Sequence, residues 1–228
     1  MPPRPIRSST KPPYWEAATR ALAERDDVMA RLIADHPEIH VVRRGDPFTT
    51  LARAIVGQQI SVKAAQSIWD RLVAAAKGSG EPIHLDPGRL GRMHVATLRR
   101  VGLSESKARY IRDLARHFVS GHLDPREWPA LDDEALIVRL TAVHGIGRWT
   151  AEMFLMFHEL RPDVLPLADI GLQNAVAMHY HGGTRIPIAQ LREFAAMWAP
   201  WRSVATWYLW RSLDPIPVEY YSGVRRAI

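Results

Sequence analysis

Leu140-Thr141-Ala142-Val143-His144-Gly145-Ile146-Gly147-Arg148-Trp149-Thr150-Ala151 decides how the rest of the chain is read. Leu140 and Val143 lead in on an apolar helix face, two glycines make a turn, and Arg148 opens a second helix. The glycines permit positive φ and leave no Cβ in the way of a close ligand. Ile146 between them should point back into the helix pair and fix the turn. The amides around Gly145, Gly147 and Arg148 then face outward from a helix N-terminus, a place that suits an anion such as a nucleic-acid phosphate. A lone Gly-x-Gly is usually a structural turn. Here the flanks narrow the reading: an apolar lead-in, Gly-apolar-Gly, a basic residue, then Thr150-Ala151 opening an apolar helix.

Outward from this hairpin the pattern is helical almost throughout. Helices are predicted over 104–119, 132–142, 148–158, 169–180, 188–195 and 201–210, two of them opening on the capping residues Ser104 and Asp132. Upstream, Trp15, Ala18, Leu22, Val28 and Leu32 read as one helix ending before Pro37. Phe48, Leu51, Ile55, Ile60, Ala64 and Ile68 read as a second apolar stripe. The Gly/Pro-bearing stretch 78–87 is the one place that resembles a lobe boundary. His40-Val41-Val42 is too short to argue for a sheet, so the expected class is all-α. Gly102-Leu103-Ser104-Glu105-Ser106-Lys107-Ala108 echoes the shape of Gly145 to Ala151; it is either a degenerate second hairpin or a coincidence of two glycine turns.

Composition sets the frame for function. The 228 residues are 47% hydrophobic and 24% charged, ordinary for a soluble globular chain able to bury a core. No apolar run is long enough to span a bilayer and residues 1–13, rich in proline, read as a mobile basic tail, so a cytoplasmic location is expected. A net charge of +6 with pI near 10.0 favours polyanionic partners. The chain has no cysteine, which removes disulfides, thiol catalysis and Cys-ligated zinc or iron–sulfur clusters. His179 and His181 stand two apart and fall on different helix faces, so a zinc pair there is not expected.

The hairpin resembles the helix-hairpin-helix element of the HhH-GPD DNA glycosylase superfamily. In that superfamily a loop bearing Gly and Pro follows, and an aspartate opens the next helix. Asp163-Val164-Leu165-Pro166-Leu167-Ala168-Asp169 supplies the proline and the aspartate without the glycine, and Ile170-Gly171-Leu172-Gln173 continues in the family's manner. The alkylpurine branch often carries two acids where this chain has Ala168-Asp169. Phe48-Thr49-Thr50-Leu51, Ile55-Val56-Gly57-Gln58-Gln59-Ile60-Ser61 and the run from Trp198-Ala199-Pro200-Trp201 to Trp210 are similar to the same branch. The resemblance, about 48–211, is to the 3-methyladenine DNA glycosylase II group in a compact form without the N-terminal α/β domain of longer members. It implies two helical lobes with the active-site cleft between them, one glycosylase domain over 14–228, and a monomer acting on damaged duplex DNA.

The chemistry follows from the residues. Breaking an N-glycosidic bond develops positive charge on the sugar, and a fixed carboxylate beside it stabilises the transition state and can orient water. Asp169 is the expected catalytic group, a role compatible with capping the helix it opens. An N3- or N7-alkylated purine is already cationic and leaves neutral, so one carboxylate suffices where ordinary glycosidases pair two. Electron-poor cationic bases stack on electron-rich rings. The resemblance assigns Trp149 and Trp210 to the base pocket, with Met153 standing where the family has a further aromatic; Gln58 neighbours the pocket and Gln59 plugs the vacated stack. Gly145, Gly147, Arg148, Thr150 and Lys107 are the expected DNA contacts. The family's hairpin also takes a monovalent cation on backbone carbonyls, here those of Thr141, Val143 and Ile146; no other cofactor is expected.

Members that also cleave the strand carry a Schiff-base lysine where this chain has Trp149, and an indole cannot form that adduct. The expectation is therefore a hydrolytic, monofunctional enzyme in base excision repair. A bifunctional glycosylase/lyase and a non-catalytic hairpin module that only binds DNA remain the alternatives.

Overall fold

A computed structural model describes residues 11–43, 45–80 and 83–213. The described residues form twelve α-helices: α1 (Trp15–Arg25), α2 (Asp27–Asp35), α3 (Pro47–Gly57), α4 (Val62–Ala76), α5 (Pro87–Arg92), α6 (Val95–Arg100), α7 (Glu105–Val119), α8 (Asp133–Thr141), α9 (Arg148–Phe157), α10 (Ile170–Tyr180), α11 (Ile188–Phe194) and α12 (Arg202–Leu213). One isolated bridge, Ser79 with His84, is the only extended pairing among them. The all-α expectation holds. No helix among the described residues is long and apolar enough to cross a membrane.

The chain divides into two compact units, one made of Met1–Arg43 with Leu155–Ile228 and the other of Arg44–Phe154. The Gly/Pro stretch 78–87 therefore lies inside the second unit and is not the boundary. The division falls after Arg43, between α2 and α3, and again after Phe154, within α9.

Three further expectations change. The first predicted helix is two, because Asp26 interrupts it. Its side chain accepts from the Val28 and Met29 amides and caps α2, while its second oxygen accepts from the Tyr180 hydroxyl and the Trp198 indole. The apolar stripe from Phe48 to Ile68 also breaks, at Gln58–Gln59, and α4 restarts on the Ser61 cap. Pro12, placed in a mobile tail from sequence, is buried, and its carbonyl accepts the Trp15 amide; the first ten residues lie outside the described residues.

The first unit packs Trp15, Leu22, Met29, Leu172, Val176, Val204 and Leu209 from α1, α2, α10 and α12, with Trp198 from the 3-10 turn after α11, into one core. Trp201 packs against the same unit, stacked on Tyr14 with ring centroids 5.9 Å apart. In the second unit α7 lies against α3, α5 and α6. Phe48, Phe118, Trp128 and Phe154 continue that core as a chain of edge-to-face rings, the arrangement their quadrupoles favour.

Candidate functional site

The hairpin forms as its sequence predicts: α8 ends at Thr141, the chain turns at Gly145 with φ +86°, and α9 starts at Arg148. Gly145 has two reasons to be glycine. Its φ is left-handed, and a Cβ there would fall far inside contact distance of the Tyr110 ring. Ile146 is 3% exposed and fixes the turn from beneath, its amide bonded to the Val143 carbonyl at 3.1 Å. Gly147 is different. Nothing lies within 4 Å of where its Cβ would be, so packing does not demand the glycine. The omitted side chain leaves the first amides of α9 approachable from outside.

Three second-unit residues hold or flank the turn from the side. Gln58 donates from Nε2 to the Gly145 carbonyl at 2.8 Å. Lys107 turns inward, giving Nζ to the Val56 and Gln58 carbonyls at 2.8 and 2.6 Å, with its pKa lowered by burial. It therefore caps the C-terminus of α3, a use of the ammonium that the expected phosphate contact did not foresee. Next to Gln58, Gln59 stands exposed with φ +55°. A non-glycine residue held at positive φ costs about 1–3 kcal/mol and persists where surrounding contacts fix it.

Arg148 reaches Glu134 with both terminal nitrogens and Glu152 with Nε at 3.0 Å. Its charge ties α8 to α9. Trp149, one residue into α9, is 44% exposed, whereas Met153 and Thr150 are buried. The turn has one further support that sequence reasoning missed. Asp113, 6% exposed, accepts the His144 amide at 2.9 Å and the His144 ring Nδ1 at 2.7 Å, and pairs with Arg116. Burial alone would push its carboxyl up; these donors outweigh that and hold it below the ordinary carboxylate range. No signal in the sequence links a residue on α7 to a turn thirty-one positions on.

In the first unit, Asp169 occupies the N-cap of α10 and its Oδ1 accepts the Leu172 amide at 2.7 Å. The same oxygen accepts Nε1 of Trp210 at 2.8 Å. Trp210 is itself stacked on Phe157, centroids 5.8 Å apart. Gly171 makes this approach feasible: a Cβ there would sit 3.0 Å from both the Trp210 ring and Asp169 Oδ1. Sequence shows Gly171 only as part of a family-like run, not as the residue that admits the indole.

The loop before Asp169 is stapled to the start of α12. Asp163 takes Arg202 on both oxygens, at 2.7 and 2.8 Å, the Ser203 hydroxyl accepts the Val164 amide, and the Ser203 amide reaches the Pro162 carbonyl. Gln173 closes the loop by donating to the Leu167 carbonyl. With Oδ1 fixed by two donors on a braced loop, the carboxylate is preorganised. Such a group can stabilise developing positive charge without reorientation.

An all-α architecture with a helix-hairpin-helix turn and a braced carboxylate opening a later helix matches what is expected of helical DNA base-excision proteins. Residues 52–200 match the family described as HhH-GPD superfamily base excision DNA repair protein, and the chain belongs to that family. A putative DNA-3-methyladenine glycosylase of Bacillus subtilis is 30% identical over 82% of this chain, and the match spans 66% of that relative. The crystal structure of a Bacillus halodurans DNA-3-methyladenine glycosidase superposes with a TM-score of 0.79 at 34% identity, covering 90% of this chain and 91% of the other. A Schizosaccharomyces pombe 3-methyladenine DNA glycosylase in complex with abasic DNA gives 0.73 at 30% identity, covering 86% and 96%.

Proposed function

We infer that this protein is a monofunctional DNA glycosylase of base excision repair that hydrolyses the N-glycosidic bond of alkylated purines such as 3-methyladenine and 7-methylguanine. The observation that carries the reading is Asp169, fixed by the Leu172 amide and the Trp210 indole at a helix N-terminus. The base must leave the stack to be reached. As its bond to the sugar C1′ breaks, the electron pair departs with the already cationic purine, which leaves neutral. Water then bonds to C1′ and gives up its proton. Asp169 stabilises the sugar cation and orients that water.

The hairpin supplies the DNA grip through the amides around Gly145, Gly147 and Arg148, with Thr150 in the same helical turn. Gln59, exposed on its strained turn, fits the plug of the vacated stack, and Gln58 and Lys107 hold that turn in place. Trp149 and Trp210 are read as the rings that receive the base, and Met153, which is buried, stands at the position where the family has a further aromatic. The carbonyls of Thr141, Val143 and Ile146, at the C-terminal end of α8 and in the turn, suit a monovalent cation such as Na⁺ or K⁺, since a helix C-terminus concentrates carbonyl dipoles. The protein is read as a monomer working on duplex DNA in the cytoplasm.

Trp149 supports hydrolysis over the lyase alternative, since an indole offers no amine for a Schiff base. Incubation with methylated duplex DNA tests the reading. Free 3-methyladenine or 7-methylguanine is expected, with the strands intact until alkali is added. Nicking before alkali would favour the lyase, and absence of any released base would leave a DNA-binding module.

A further inference from the structure

The second unit carries a groove of about 620 Å³ that the hairpin's own amides do not use. Its floor is small-residue surface, where α5 meets α7 closely enough that a Cβ on Gly91 would touch the Ala115 methyl at 3.5 Å. Its walls are arginine. Arg109, Arg112 and Arg116 repeat at three- and four-residue spacing along α7, which puts them on one face, and Arg92 stands opposite on α5. All four are exposed. Over Pro87 to Val119 seven arginines and Lys107 stand against Glu105 and Asp113 alone. That surplus of six equals the net charge of the whole chain.

The acids do not cancel the groove. Glu105 pairs with Arg109 at the open end of α7, an exposed pair of small energetic weight. Asp113 is buried, with its oxygens engaged by His144 and Arg116. Among the described residues Arg92 and Arg112 make no ion pair. The groove also adjoins the hairpin: His144 and Tyr110 line it, and Tyr110 lies directly under Gly145. From Arg109 to Arg116 is about 10 Å at 1.5 Å per helical residue. Measured along the duplex axis, one DNA strand carries about three phosphates over that length, at roughly 3.4 Å of rise each.

We propose that this groove extends the hairpin's DNA site and takes backbone phosphates of the same duplex, with Arg92, Arg109, Arg112 and Arg116 as its contacts. The proposal rests on the DNA reading above and adds a second place of contact to it. Arginine suits the task because its fork meets phosphate oxygens in pairs. Asp113 links the two places, bonding at once to the hairpin turn and to the last arginine of the stripe.

The test is the salt dependence of affinity for a short unmodified duplex. Every phosphate that the protein ceases to neutralise lowers the slope of log affinity against log salt by about 0.9. An Arg92→Ala/Arg112→Ala variant should lower the slope by about two by that rule, and an Arg92→Lys/Arg112→Lys variant should keep the wild-type slope. Removing two exposed arginines of the first unit, Arg31→Ala/Arg192→Ala, should leave it unchanged. A wild-type slope in the groove variant, or an equal drop in the first-unit variant, overturns the proposal. If wild-type protein still releases methylated bases in that case, only the groove falls. If it neither binds nor excises, the glycosylase reading falls and takes the groove with it.

Discussion

The turn at Gly102 and the turn at Gly145 each place a glycine at positive φ, +104° and +86°, three residues before the next helix begins. The first is closed. Ser104 caps α7 by accepting the Lys107 amide, Lys107 commits its ammonium to carbonyls of the α3 end, and a Cβ on Gly102 would meet Arg71 and Ile68. The second is open. The residue in Ser104's place is Gly147, which has no side chain to offer an amide and no neighbour within 4 Å of a Cβ. Similar backbones thus serve two ends. Where a side chain satisfies the helix start, the turn is scaffold; where glycine leaves it bare, the turn can take a phosphate.

That contrast can be broken at several places. Gly145→Ala should do most damage, since left-handed strain and overlap with the Tyr110 ring together cost about 2–4 kcal/mol. Urea denaturation should show that destabilisation, and DNA affinity should fall by more than tenfold. A smaller change comes from Gly147→Ser, which gives the open turn the cap of the closed one. Affinity for duplex DNA should drop by about tenfold while stability holds or rises by up to about 1 kcal/mol. Unchanged affinity in a titration would mean the bare amides are not where phosphate binds. Smallest is Ser104→Ala, expected to cost about 1 kcal/mol of stability through removal of the cap, with little effect on DNA affinity.

Most helices are legible in the sequence because their apolar spacing and caps are local facts; α7, α8 and α10 start within one residue of where Ser104, Asp132 and Asp169 put them. The breaks at Asp26 and at Gln58–Gln59 are hidden because the apolar register continues through both. The six-residue helices α5 and α6 escape for a different reason: neither is long enough to show a period. At the site, Asp169 as an N-cap and the glycine turn are readable. The destinations of Lys107 and Arg148 are not, since a cation's partner is chosen by tertiary neighbours, here the Val56 and Gln58 carbonyls and the Glu134 and Glu152 carboxylates. Gly171 and Asp113 stay silent for the same reason. Each matters through residues dozens of positions away.

The open turn bears on the proposed DNA grip; the claim of catalysis rests on the carboxylate. Single-turnover release of 7-methylguanine by wild-type protein and by Asp169→Asn, with duplex affinity measured in parallel, tests it most directly. The amide can still accept from Leu172 and Trp210, so the variant should fold and bind within a few-fold of wild type, yet excise about 10²–10³ times more slowly, as when a preorganised electrostatic group is removed. Excision by Asp169→Asn at the wild-type rate would contradict the account.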